Sequence, residues 1–425
     1  MKARTSSLIL FVLGCLFALQ SPTSFGQVDD WRRSKCEHHL VSSGYGFSFD
    51  TAAGRSELRA QTVAKPLAAL SLQKWQEKLQ ASGRMAYQGN TDWSAGSEFL
   101  FSNESDWNKT PFDGRHADLM IAFGTNSFWE LAVDKSVDKV VLADWSPLPL
   151  LAHAYIVAPL MRISRTAPEF ISLLSGEIPS EAIPGTPENV SHTLEKHSNP
   201  ADFILEPHQV TQLLQYLSSH REIRIDELQF LAHFFWSRTS EKDLQNTPLK
   251  GVRADIFLFF QGGYWKRYKD IPASELHRSA LHNQAHFKKL RELFLKDKVE
   301  YAMTEVADPN FYNTLKLSHP KAKDWAVSVT NIFEMDYNGH TFDTLRDFMK
   351  NLISSIGASE SHPLTVFRTT NYRVPHRFYR YDLTSERDVP RDDEDLEYGR
   401  PDPNQDQIDE INVLLKFLLG PKRIR

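Results

Sequence analysis

Short apolar runs that end in glycine or an acidic residue alternate with longer amphipathic stretches along this chain. The run at 118 to 124 ends in glycine, and Asn126-Ser127 can cap the helix that follows. The pattern repeats at 139 to 144, where a β-branched run ends in an aspartate and Trp145-Ser146-Pro147 begins the next helix. Two strands joined by one helix over so short a stretch form a βαβ unit, so the two strands are predicted to be parallel.

The alternation of strand and helix signals continues to the end of this region. Residues 147 to 297 have apolar residues at helical spacing and are predicted to form a large helical insertion. Further strands are predicted at 299 to 304, 326 to 330 and 364 to 369, with helices at 310 to 317 and 341 to 356 between them. An aromatic strand at 377 to 383 follows a proline turn and is predicted to be an antiparallel edge strand. The fold class is therefore α/β, with a mostly parallel sheet, a helical insertion and an antiparallel edge.

Four segments follow from these patterns. Residues 1 to 26 are predicted to be a signal peptide. Residues 27 to 114 are predicted to form an N-terminal segment that precedes the main domain and contains a helix at about 63 to 79. The α/β domain is predicted to span 115 to 384, and residues 385 to 425 an acidic linker with a terminal helix at 408 to 419.

The first 26 residues have the three parts of a secretory signal. Lys2 and Arg4 form a basic start, Leu8 to Leu19 is apolar, and Ser24-Phe25-Gly26 offers small residues for cleavage. Attachment of a lipid to Cys15 is an alternative that the sequence leaves open. We therefore expect an exported protein, periplasmic or extracellular.

Charge and cysteine content narrow the classes of partner. The formal net charge of −5 becomes −7 when Lys2 and Arg4 are removed, which argues against a dedicated nucleic-acid binder. Charged residues interrupt every later apolar stretch, so no membrane span is expected. Only Cys36 remains after cleavage, and no intramolecular disulfide can then form. The expected partner is a small molecule or an envelope component.

Several segments carry a resemblance to a known family. They are Phe123 to Ala132, Val140 to Trp145, Leu151 to Tyr155, Pro168 to Leu174 and Val327 to Glu334. In these segments, within roughly residues 115 to 380, the chain resembles uncharacterised bacterial proteins placed among the class I S-adenosylmethionine-dependent methyltransferase folds. The resemblance implies a methyltransferase-like, Rossmann-type sheet, with its first strand at 118 to 124, its second at 139 to 144 and its fourth at 326 to 331.

The same resemblance implies a site for S-adenosylmethionine beyond the carboxyl ends of these strands. Gly124, Thr125 and Asn126 would form the turn that approaches the cofactor, Asp144 would accept hydrogen bonds from the ribose hydroxyls, and Asn331 would face the same crevice. Each residue also has a structural interpretation: an ordinary turn for Gly124, a helix cap for Asp144 and a turn former for Asn331. No catalytic residue is assigned.

Two functions compete at this point. One is an exported enzyme that methylates a small molecule or an envelope component. The other is a catalytically inactive envelope binding or structural protein that uses the same fold. A turn with one glycine, where the family's enzymes usually have several, and an exported location away from the cytoplasmic methyl donor both favour the second.

A cluster of histidines offers a different chemistry. His282 and His286 lie four residues apart on a predicted helix, a spacing that can present two imidazoles to one metal ion. The local pattern supplies no third ligand, and neighbouring lysines favour a solvated helix face. No metal is expected.

Overall fold

The computed structural model describes residues 71–89, 116–123, 127–134, 136–198, 203–239, 256, 259–260, 279–329, 342–369 and 378–389. All of these belong to one compact unit. The signal peptide, the linker beyond 389 and the terminal helix are predictions that lie outside the described residues.

The described residues form a seven-stranded sheet. Its strands are β1 Met85–Gln88, β2 Leu119–Phe123, β3 Val140–Asp144, β4 Val299–Met303, β5 Trp325–Ser328, β6 Leu364–Thr369 and β7 Phe378–Leu383. They lie in the order β1-β4-β3-β2-β5-β6-β7, and every neighbouring pair is parallel except β6 with β7. The α/β class, the predicted strands and the antiparallel edge are confirmed.

β1 is a strand that the hydrophobic pattern does not predict. Its four residues are half-buried or exposed and show no alternation, so no local signal marks it. It forms because β4 offers a free edge: Met85 pairs with Tyr301 and Gln88 with Met303. The segment before residue 115 therefore contributes an edge strand to the sheet.

The strand order is compatible with a Rossmann-like fold. Counted from β2, the five central strands run 3-2-1-4-5, the order of a doubly wound sheet. The chain moves from β2 to β3 on one side and later returns to β5 on the other. The order reverses between β2 and β5, and ligands of such sheets bind outside the carboxyl ends of the strands at this point.

Helices cover both faces of the sheet. They are α1 Leu72–Ala81, α2 Ser127–Asp134, α3 Pro147–Ala152, α4 Ala158–Ile163, α5 Ala167–Ser175, α6 Pro187–Lys196, α7 Pro207–Ser219, α8 Ile225–Trp236, α9 Gln284–Leu295, α10 Pro309–Ser318 and α11 Phe342–Ile356. α10 and α11 pack on the face that carries Leu119, Ile121 and Val327. Because strand side chains alternate, Met120 and Leu142 face the opposite layer, where α2 contacts β2 and α3 contacts β3.

The region between β3 and β4 is helical in every element that the structure describes, as predicted for 147 to 297. α3 and α4 are joined by a π-helical turn, His153–Val157, and the residues of this turn are all buried. The buried Arg238 donates to the carbonyls of Leu174 and Ser175 at 3.3 and 2.6 Å and so satisfies the end of α5.

The described segments contain no membrane-spanning helix. None of their helices combines the length and the apolarity that crossing a bilayer requires.

Candidate functional site at the carboxyl ends of the strands

Asp144 is the one predicted cofactor residue that the structure describes, and it is the last residue of β3. It lies beside β2, and its register partner on the other side is Met303 of β4. Gly124, Thr125, Asn126 and Asn331 lie outside the described residues, so their proposed roles stay predictions.

The local sequence explains how the Asp144 carboxylate is held. Its Oδ1 accepts a hydrogen bond from the amide of Ser146 at 2.8 Å, and the Ser146 hydroxyl in turn caps α3 by accepting from the amide of Leu148. The carboxylate thus closes a tight turn between a strand and a helix. The neighbouring Trp145 is 43% exposed, which leaves an apolar surface at the same edge of the sheet.

Burial dominates the electrostatics of Asp144. It raises the pKa of this carboxyl from 3.8 to about 7, although hydrogen bonds from the amides of Ser146 and Trp145 oppose the shift. As a whole residue, Asp144 is half-buried. A group of this kind changes its charge near neutral pH, which is common at functional sites.

Two buried polar side chains, one on a strand and one on a helix, lie near the carboxyl ends of the strands. Ser328 ends β5, and its hydroxyl has no hydrogen-bond partner among the described residues. Gln76 of α1 donates to the sulfur of Met303 at 3.4 Å, while its carbonyl oxygen also lacks a described partner. Buried polar atoms without partners are uncommon, and a ligand is one way to satisfy them. No local pattern in the sequence identifies either residue.

The two histidines do not form the predicted helical pair. α9 begins at Gln284 after the cap Asn283, so His282 lies in the preceding turn and only His286 is on the helix. His282 is buried and its Nδ1 lies 3.0 Å from the hydroxyl of Ser279, whereas His286 is half-buried. The prediction of a shared helix was wrong because Asn283 caps the helix one residue after His282.

A cluster of one histidine and two aspartates lies at the amino-terminal end of β2. One ligand atom each of His116, Asp118 and Asp138 lies within 4.8 Å of the others. Nδ1 of His116 lies 2.7 Å from the Ser136 carbonyl oxygen, and Nε2 lies 3.1 Å from Asp118. Burial opposes protonation, but these hydrogen bonds and the two carboxylates raise the pKa of His116 overall. The protonated imidazole can donate from both nitrogens, and in that form it pairs with the carboxylates, whereas the neutral ring can bind a metal ion.

A cluster of three arginines around one buried glutamate has no counterpart among the residues singled out from the sequence. Arg84, Arg162 and Arg224 meet at the buried carboxylate of Glu227 near the amino-terminal ends of β1 and β4. These residues are scattered over the chain, and only the pair Arg224 and Glu227 leaves a local trace, as a capping box at the start of α8.

The described residues form an α/β protein with a mostly parallel seven-stranded sheet, compatible with a Rossmann-like fold, and Asp144 lies at the carboxyl end of its strand β3. In comparisons with known proteins, no family model matches the chain and no curated protein matches it.

Proposed function

We propose that this protein is exported and binds S-adenosylmethionine, or a closely related adenosyl compound, at the carboxyl ends of β2, β3 and β5. The observation that carries the proposal is Asp144, a half-buried acidic residue at the end of the strand next to the reversal of strand order. This is the position from which a carboxylate can accept hydrogen bonds from a ribose. Methyl transfer to a small molecule or an envelope component is the activity that such a site would serve.

The ionisation of Asp144 supports this proposal. Burial keeps its pKa near 7, so the free protein holds a partly protonated carboxyl at neutral pH. Two ribose hydroxyls donate to the charged form and therefore lower the pKa of the carboxyl. Binding of the ligand is then expected to release protons near pH 7.

The same residue also supports a second function. The Asp144 carboxylate closes the turn before α3 by accepting from the amide of Ser146. This structural role alone is a sufficient reason for an aspartate at this position, and it requires no ligand. With the exported location predicted from the amino terminus, it favours a binding or structural protein of the envelope that lacks the methyl donor.

Calorimetry of the purified protein with S-adenosylmethionine and S-adenosylhomocysteine separates the two functions. We expect saturable binding that Asp144→Ala weakens by about 1–3 kcal/mol, or roughly five- to 150-fold, through loss of buried hydrogen bonds. Titrations at pH 7 in buffers of different ionisation enthalpy measure the proton release. Asp138→Ala, at an exposed aspartate before β3, is the matched control. The absence of heat at millimolar ligand would exclude the first function.

A stability measurement tests the environment of Asp144 independently of any ligand. Because the folded pKa is raised, the carboxyl contributes stability that is present at low pH and lost as the pH rises through about 7. An asparagine side chain at this position cannot ionise, yet its carbonyl oxygen can still accept from the amide of Ser146. We expect Asp144→Asn to raise the free energy of unfolding by about 1–2 kcal/mol at pH 8.5, which is less than the full shift implies because the residue is only half-buried. Chemical denaturation at pH 8.5 and pH 5 measures it, and an equal effect at both pH values would contradict the assigned environment.

A further inference from the structure

A recess lined by arginines lies on the face of the sheet opposite α10 and α11. It is at the amino-terminal ends of β1 and β4, far from Asp144 at the carboxyl end of β3. It is formed where Arg84 precedes β1 and where Val299 begins β4, and α4, α8 and α9 surround it. It is partly open to solvent, and its cavity volume is about 10 Å³, which is room for about one water molecule. Arg162, Arg224 and Tyr301 are the other polar groups of its wall, with Asp297 at the rim.

One buried carboxylate holds the three guanidinium groups in place. Glu227 is fully buried; its Oε1 accepts from Arg84 at 2.8 Å and from Arg224 at 3.3 Å, and its Oε2 accepts from Arg162. Oε2 also accepts from the amide of Arg224 at 2.9 Å. The carboxylate oxygens are thus occupied, and they fix the arginines from one side.

The remaining charges lie closer to solvent. Asp226 pairs with Arg84 at 2.9 Å, and Asp297 pairs with Arg224 at 2.6 Å with its side chain 61% exposed. Solvent screens the charge of Asp297 most strongly, whereas the side chain of Asp226 is only 22% exposed. The three guanidinium groups are therefore matched by three carboxylates, of which only Glu227 is fully buried.

Several donors of the wall have no acceptor within the described part of the chain. Arg162 is buried and uses Nε and Nη2, for the Glu222 carbonyl and for Glu227, which leaves Nη1 without a partner among these residues. Nε of Arg224 and the hydroxyl of Tyr301, a residue that is only 2% exposed, likewise have no described acceptor. Arg224 is 38% exposed and none of these three donor atoms is fully buried, so solvent or a ligand in the recess can accept from them.

From this geometry we infer that the recess is a binding site for a small tetrahedral oxyanion, of the phosphate or sulfate class. Guanidinium groups bind such anions through paired, charge-assisted hydrogen bonds, and the phenol adds a neutral donor. The recess has room for about one oxygen of such an anion, so an inorganic ion or the phosphoryl group of a larger molecule would bind at its opening. The site is separate from the proposed adenosyl site, which lies at the other end of the strands.

The experiment is calorimetric titration of the purified protein with inorganic phosphate and with sulfate, at constant ionic strength set by chloride. Saturable binding in the millimolar range or tighter is the expected result. A titration with glycerol phosphate tests whether the bound group can be part of a larger molecule. Binding of glycerol phosphate as well as inorganic phosphate indicates a site for phosphoryl groups. Binding of the inorganic ions alone indicates a site for the free ion. A folded protein that shows no saturable heat with phosphate or sulfate overturns the inference.

Substitutions of the two partners in the Arg224–Asp297 ion pair are expected to change the affinity for phosphate in opposite directions. Arg224→Gln removes a donor and should weaken phosphate binding about tenfold, whereas Asp297→Asn removes a repulsive rim charge and should strengthen it about threefold. A purely structural ion network would not give opposite changes in affinity. Arg221→Gln, at an exposed arginine outside the recess, is the matched control and should leave the affinity unchanged.

Tyr301→Phe keeps the inference testable if Arg224→Gln fails to fold. It removes only the hydroxyl and is expected to weaken phosphate binding about fivefold. If Tyr301→Phe and Asp297→Asn both bind phosphate like the unchanged protein, the anion lies elsewhere and the inference is wrong.

Discussion

Glu227→Gln is expected to lower the free energy of unfolding by about 3–5 kcal/mol, because the substitution leaves three arginines around an uncharged, buried amide. The Glu227 side chain has no exposed surface and contacts Arg84, Arg162 and Arg224. The amide nitrogen of glutamine would also face guanidinium donors instead of accepting from them. Urea denaturation monitored by tryptophan fluorescence measures the change.

The preceding residue provides a matched control. Asp226 forms an ion pair with the same Arg84, but its side chain is 22% exposed and contacts one arginine. Asp226→Asn is expected to cost at most about 1 kcal/mol, as is usual for partly exposed pairs. Equal losses for the two substitutions would show that the arginines do not depend on the buried carboxylate.

The second large effect is a loss of stability in acid. Burial lowers the pKa of His282 from 6.5 to about 4, so the folded protein holds this imidazole neutral. The unfolded chain binds its proton first as the pH falls, and the stability that is present above pH 6.5 is progressively lost towards pH 4. From pH 7.5 to pH 5 this single group should remove about 2 kcal/mol from the free energy of unfolding.

Comparison with His282→Gln isolates this contribution from that of all other groups. The variant should lose about 2 kcal/mol less than the unchanged protein between the two pH values, whatever its stability at pH 7.5. His286→Gln, at the half-buried histidine on α9, should keep the full pH dependence. Identical pH profiles for His282→Gln and the unchanged protein would show that His282 is not held neutral.

The sheet could be predicted from the sequence because its strands are marked by local signals. β2 and β3 are buried apolar runs bounded by turn or capping residues, and their burial on both faces is what makes the runs continuous. The helices α10 and α11 likewise carry an apolar stripe that faces the sheet. The position of Asp144 at the end of β3 could be predicted for the same reason, because the end of a strand is marked by neighbouring residues in the sequence.

The remaining features depend on contacts between distant parts of the chain. The edge strand β1 exists because β4 offers unpaired backbone groups, and nothing in Met85–Gln88 itself requires a strand. His282 and His286 satisfy a helical spacing, but a cap placed between them and the packing around His282 decide their environments.

By itself the sequence determined the α/β class, the positions of the central strands and the carboxylate at the end of β3, because periodicity, turns and caps act over a few residues. Only the tertiary structure decided which charges meet. Arg84 and Glu227 are 143 positions apart, and the folded sheet brings them within 2.8 Å. Desolvation then shifts the properties of such groups, because the free energy of a charge depends on everything that the fold places around it.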